Sequence, residues 1–199
     1  MPGVQAENET IVNPFIMASL DQIQAGIRKA RAELLAALEP EALKAGADAA
    51  ALVENRIVSK GETHSGKRLS AYSEAEVPAF FFLGRSRNTR GENAIKRKAK
   101  KREPVSYREF RQLNGLNVTH KNLEFTGEMW QGFGVTGVQT LQPGVVVVSI
   151  GGKNERTRTL LGYHSEREQT QITQPSQQEI RAISAGVSAR LVEIIKRHV

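Results

Sequence analysis

From Leu20 to Leu38 the apolar residues Leu20, Ile23, Ile27, Ala30, Leu34 and Leu38 recur at the spacing of one helix face. Just before them, Ser19 with Gln22 three positions on forms a capping-box signature. Pro40 interrupts this helix and can itself occupy the first turn of another. A second helix is therefore expected over 41–58, with Leu43, Ala47, Ala50, Val53 and Ile57 on its buried face. Joined this tightly, the two should meet at an angle or form one kinked rod. Residues 1–18 are polar, turn mildly apolar at Phe15 to Met17 and carry Pro2 and Pro14, the pattern of an arm without a core of its own.

The periodicity stops at Lys60–Arg68, where KGETHSGKR reads as a loop. The run Phe80 to Leu83 suits a buried strand or a short partner-facing patch, and three successive phenylalanines are expected to be buried. SYREFRQLNG predicts a short helix opened by Ser106, with Phe110 and Leu113 inward and Gly115 past its end. LEFTGEMWQGFGV predicts a strand leading into a short helix started at Thr126. Gly137 to Ile150 reads as a hairpin turning at Gln142-Pro143-Gly144. Its second strand, the β-branched run from Val145, is expected to be central in its sheet. RTLLGYHSERE is a short helix or turn and QTQITQP an extended piece. Ser176 with Glu179 caps a last helix striped by Ile180, Ile183, Val187, Leu191 and Ile194. These elements predict one α+β domain over 19–199: N-terminal helices and a long C-terminal helix packed on a small antiparallel sheet.

Charge changes this picture at one place. The formal net charge is +7, yet nine basic residues lie between Arg85 and Arg102: Arg85, Arg87, Arg90, Lys96, Arg97, Lys98, Lys100, Lys101 and Arg102. Glu92 is the one acid among them, which leaves 19 basic and 20 acidic residues elsewhere. Glycines, polar residues and like charges predict a mobile basic loop, inserted at 84–104, that orders on binding. Three readings stay open for it: phosphate contacts on DNA, pairing with an acidic protein surface, or a solvated loop. No aromatic residue is interleaved between Arg85 and Arg102, which argues against base stacking.

Only 6% of residues are aromatic, a lean core supply that points to stability drawn from neighbouring subunits. The chain has no cysteine, so disulfides and thiolate metal sites are excluded. It shows neither a membrane-spanning run nor a signal-peptide layout, which predicts a protein made in the cytoplasm and no membrane partner. His64, His120, His164 and His198 have no metal-ligand spacing, and no phosphate loop, dinucleotide fingerprint or nucleophile elbow occurs. No catalytic residue, cofactor or metal is expected. Trp130, beside Met129, is expected in the core, with an interface hot spot as the alternative.

Three stretches carry a likeness beyond composition: ENRIVSKGETHSGKRLSAYS at 54–73, NLEFTGEMWQGF at 122–133 and LLGYHSEREQTQITQPSQQEIRAI at 160–183. The first holds Arg56 and Ile57 at a helix end, Lys60, Gly61 and Gly66 in a loop, then the pair Tyr72-Ser73. The second holds Asn122, Leu123, Thr126, Gly127 and Met129, followed by Trp130, and the third holds Tyr163, His164 and Ser176. In this order they resemble the tail-completion and virion-morphogenesis proteins of tailed bacteriophages, a loosely related group of head-to-tail joining proteins of the neck. The sequence departs from that pattern at ITQPSQQE and in the length of its basic segment.

The resemblance implies a structural virion protein rather than an enzyme. It would form a cyclic homo-oligomer that joins tail to head around the DNA path, meeting other neck or tail proteins and packaged DNA, and it would reside in the virion. The alternative expectation is a sequence-nonspecific DNA-binding protein using 85–102. A hydrolytic enzyme would need carboxylates clustered around a metal.

Overall fold

Pro40 does not divide the N-terminal helix. α1 runs Leu20–Lys60 with the proline inside it, a single rod rather than two helices meeting at an angle. A proline within a helix removes one backbone hydrogen bond and costs about 3 kcal/mol. Contacts on both sides of it offset that cost, including an ion pair from the adjacent Glu41 to Arg190. This computed structural model describes residues 20–124 and 126–198. The predicted arm at 1–18 and the Ser19 cap lie outside them.

The C-terminal half of α1 is the buried half. Gly46, Ala49, Ala50, Val53, Arg56 and Ile57 face inward, whereas Leu43 and Ala47 of the predicted face are exposed. The shift follows from how close the hairpin approaches. A methyl group on Gly46 would lie 2.4 Å from Val148 Cγ1, so only the smallest residue admits the strand there. α1 ends at Gly61, whose φ is +65°. The next residues close a tight loop in which the Thr63 N–H donates to the Lys67 carbonyl at 2.8 Å and Glu62 bridges to Arg68.

A small module follows. β1 (Glu76–Pro78) pairs antiparallel with β2 (Pro104–Ser106), with Val77 opposite Val105. Between them lie a 3₁₀ turn, Ala79–Phe82, and α2, Thr89–Lys100. α3, Tyr107–Leu113, closes the module; the Ser106 hydroxyl caps it by accepting from the Glu109 N–H at 3.1 Å, as its sequence predicts. The module core is Ala79, Ile95, Val105 and Phe110. Two expectations fail here. The Phe80–Leu83 run is neither a strand nor buried: it forms a tight turn in which Phe80 and Phe81 stay exposed, stacked on each other, and only Phe82 packs inward. The basic segment is a helix, not a loop. Asn88 caps it by accepting from the Gly91 N–H at 2.7 Å, while Gly91 and Ile95 anchor its inner face.

The chain then crosses to α4, Glu128–Gln131, and the strand expected around Leu123 is not found among the described residues. β3 (Phe133–Gln142) and β4 (Val145–Gly152) form the predicted hairpin around Pro143-Gly144. Together they are a two-stranded sheet packed on α1, so β4 is not central. Val146, Val148 and Ile150 are half-buried while Val145 and Val147 are exposed. α5, Glu155–Glu168, follows. The expected extended piece after it holds a turn instead, and α6, Gln177–Lys196, opens with the predicted Ser176–Glu179 capping box.

α6 packs chiefly on α1, antiparallel to it: Glu179 meets Arg56, Arg190 meets Glu41, and His198 and Arg197 meet Glu33. The main core lies under α1 and gathers Val53, Ile57, Leu69, Leu123, Met129, Trp130, Phe133, Leu161 and Ile172. The architecture is α+β, with mostly helical elements and two small antiparallel sheets. None of the described helices is long and apolar enough to cross a membrane.

The register of α1 is open to a direct check. Ile57→Ala should lower the free energy of unfolding by about 2–5 kcal/mol and Leu43→Ala by less than about 1 kcal/mol, measured by urea denaturation. Equal losses would place the buried face where sequence periodicity alone had put it.

Candidate functional site

The nine cations of the basic segment are gathered on and beside α2. At roughly 100° per residue, Arg90, Lys96, Arg97, Lys100 and Lys101 share a face opposite Ile95, with Arg85 and Arg87 leading into the helix and Arg102 just past it. All eight are exposed; Lys98 is half-buried. Lys98 is spoken for, bonded to Glu103 at 3.4 Å and Glu109 at 3.0 Å, and the Glu109 hydrogen bond holds its ammonium above the usual lysine range. Lys96 meets Glu92 at 3.6 Å and Lys101 meets Glu103 at 3.7 Å. Arg85, Arg87, Arg90, Arg97, Lys100 and Arg102 have no ion-pair partner among the described residues.

The motif residues of the resemblance divide between a cleft and its supports. A cleft of about 520 Å³ opens between α3, the 121–129 crossing and α5, and it brings together Tyr72, Ser73, Thr126, Gly127, Met129, Tyr163 and His164. Lys60, Gly61, Gly66 and Trp130 are not part of it. Lys60 and Gly66 are exposed. Gly61 is buried against the Lys121 carbonyl, where a methyl group would come within 2.8 Å. Trp130 is in the core, as expected, and meets Phe133 edge to face at 5.7 Å.

Two buried charges that sequence reasoning missed build the cleft wall. Arg111 is 1% exposed; its guanidinium donates to the carbonyls of Asn117 (3.2 Å) and Glu124 (2.7 Å) and to Asn122 Oδ1 (3.0 Å), and lies 4.1 Å from the centre of the Tyr72 ring. The Tyr72 hydroxyl donates to Asn122 Oδ1 at 2.9 Å and accepts from the Asn122 N–H at 3.1 Å. Burial pushes the Tyr72 hydroxyl above the usual phenol range, against the hydrogen bonds and the Arg111 charge. Lys121 is buried too and bonds Glu168 Oε1 at 2.5 Å and Ser70 Oγ at 3.1 Å. Burial alone would raise the Glu168 carboxyl, and the bonds from Lys121 and Ser70 outweigh it and hold it below the usual carboxylate range.

His164 projects from α5 into this setting with its Nδ1 buried and unbonded among the described residues. Burial, then the charges of Lys121 and Arg167, push it down to about 4. The ring is therefore neutral near pH 7. At the cleft mouth Arg156 pairs with Glu128 at 2.7 Å, and Arg167 has no ion-pair partner among the described residues. The cleft wall can hold an aromatic or apolar group beside a negative one, since Tyr107, Leu160 and Tyr163 line it together with Arg167. No three His, Asp or Glu side chains among the described residues are grouped to hold a metal ion.

The His164 environment sets a pH dependence. Its folded value lies below its ordinary value, so the unfolded chain takes up the proton first and stability falls as pH drops from about 6.5 to about 4, then levels for this group. Thermal melts of wild type and His164→Gln across that range should show the wild type losing more. Parallel curves would mean that His164 protonates freely in the fold.

No family model matches the chain, and neither a curated protein nor a solved structure matches it.

Proposed function

We propose that the chain is a structural subunit of a tailed-bacteriophage virion that assembles as a cyclic homo-oligomer at the head-to-tail junction, joining tail to head around the DNA path. The observation that carries the assembly is the uncovered apolar face of the α1–α6 pair. Leu20, Ile23 and Ile27 are 70%, 50% and 56% exposed, and no apolar residue of the 20-residue α6 is fully buried. A second apolar patch lies on the hairpin, at Leu141, Val145 and Val147. Two unlike patches on one chain favour a head-to-tail contact, which closes into a ring when the rotation permits. The neck setting is supported by the ordered motif resemblance, and residues from all three of its stretches, Tyr72, Thr126, Met129 and Tyr163 among them, line one cleft.

A second reading, a sequence-nonspecific nucleic-acid-binding protein, is favoured by the exposed cationic face of α2, which is free to replace counterions along a phosphate backbone.

Light scattering over a range of protein concentrations tests the assembly. Wild type should give a discrete oligomer, and the Ile23→Glu/Ile27→Glu variant should give a monomer with unchanged helical circular dichroism, since both side chains are already exposed in the single chain. A wild type that stays monomeric at every concentration would remove the ring.

A further inference from the structure

The cleft between α3, the 121–129 crossing and α5 carries more positive charge than its own acids cancel. Arg111 spends its donors on two carbonyls and one amide oxygen, so no described carboxylate answers its charge. Arg167 has no ion-pair partner among the described residues either. Arg156 is matched by Glu128 and Lys121 by Glu168. Glu124 is the remaining acid of the lining, which leaves one net positive charge around a space of about 520 Å³. That volume falls within the roughly 300–1,000 Å³ of small-molecule sites. α5 gives the cleft a mixed face. Leu160, Tyr163, His164 and Arg167 all line it and recur at the spacing of one helix face. The rings of Tyr163 and His164 meet edge to face at 5.3 Å. His164 Nδ1 is buried with no hydrogen-bond partner among the described residues, so the neutral ring keeps one polar nitrogen unspent.

We propose that this cleft is a binding site for a small aromatic monocarboxylic acid, with its ring against Leu160 and Tyr163, its carboxylate on Arg167 and His164 Nδ1 as a second polar contact. Tyr163 and Arg167 stand one helical turn apart, about 6 Å along the axis, which suits a ring joined to a carboxylate by one or two carbons. Leu123, Met129 and Tyr107 complete the apolar wall. A carboxylate there answers the charge that the cleft leaves uncancelled, and an arginine is the side chain best shaped to hold it. A doubly charged phosphate ester would exceed that single charge, with Glu124 and Glu128 also in the lining. An uncharged aromatic would leave Arg111 and Arg167 without a counter-charge. The site needs neither the ring of subunits nor a contact with DNA.

Isothermal titration calorimetry on the full chain tests this with two probes of nearly the same shape, 3-phenylpropionate and its uncharged amide. The acid should bind about tenfold tighter than the amide, the advantage of a charge-assisted hydrogen bond. Arg167→Gln should remove most of that advantage. Tyr163→Ala should weaken both probes about fivefold, and because Tyr163 is 54% exposed the fold does not depend on it. Arg90→Gln/Lys100→Gln, on α2 and outside the cleft lining, should bind both probes as wild type does. No binding of the acid at about 10 mM, or an acid that binds no tighter than the amide, would overturn the proposal. Loss of the acid's advantage in the α2 variant rather than in Arg167→Gln would overturn it too, by placing the anion on the basic helix.

Discussion

The guanidinium of Arg111 holds two separately packed parts of this protein together. Buried among apolar groups, a charge costs several kcal/mol unless its donors are bonded. Each of its nitrogens finds an acceptor, and all three acceptors lie on the crossing from Asn117 to Glu124. That crossing then places Leu123 in the main core beside Met129 and Trp130. α3, which carries Arg111, places Phe110 in the module core against Ile95 of α2. One side chain thus fixes where the cationic helix stands relative to the body, and the same contacts shape the wall of the cleft.

The α1–α6 pair is built on the opposite plan. It is held along its length by ion pairs and by the half-buried stripe of Ile183, Val187, Leu191 and Ile194, with little of it sealed from water. A methyl group on Gly26 would lie 2.6 Å from the His198 carbonyl, so the chain just past α6 lies close against α1 there. Beyond that point α1 continues with Leu20 and Ile23 exposed. With few aromatic residues for a core, the chain leaves much of the apolar surface of its described residues exposed. In the proposed ring, covering that surface would stabilise the fold by association.

What the sequence made legible is what is decided locally. Ser106 and the Ser176–Glu179 pair cap the helices they announce, and Pro143-Gly144 turns the hairpin, because each signal acts within a few residues. Pro40 misled because its local cost is outweighed by contacts with α6, more than a hundred residues away. The basic segment misled because its like charges outweighed a quieter signal, the Asn88 cap followed by Gly91, Ile95 and Ala99 at helical spacing. Val145–Val148 misled because β-branched residues suit a strand covered on one face as well as one covered on both. Nothing in the sequence marks Arg111 or Lys121 as buried, since their partners Glu124 and Glu168 become neighbours only in the folded chain. The motif resemblance did point to residues that meet in space, and it reached Tyr72 without the arginine against it.

The central claim is that the outer face of α1 and α6 is finished by other copies of the chain. Hydrogen exchange measured from dilute to concentrated protein tests it most directly. The account predicts that amides of residues 20–35 and 180–195 become strongly protected as concentration rises, while those of Val53 to Ile57, already sealed in the single chain, do not change. Exchange in both helices that stays the same at every concentration would contradict it.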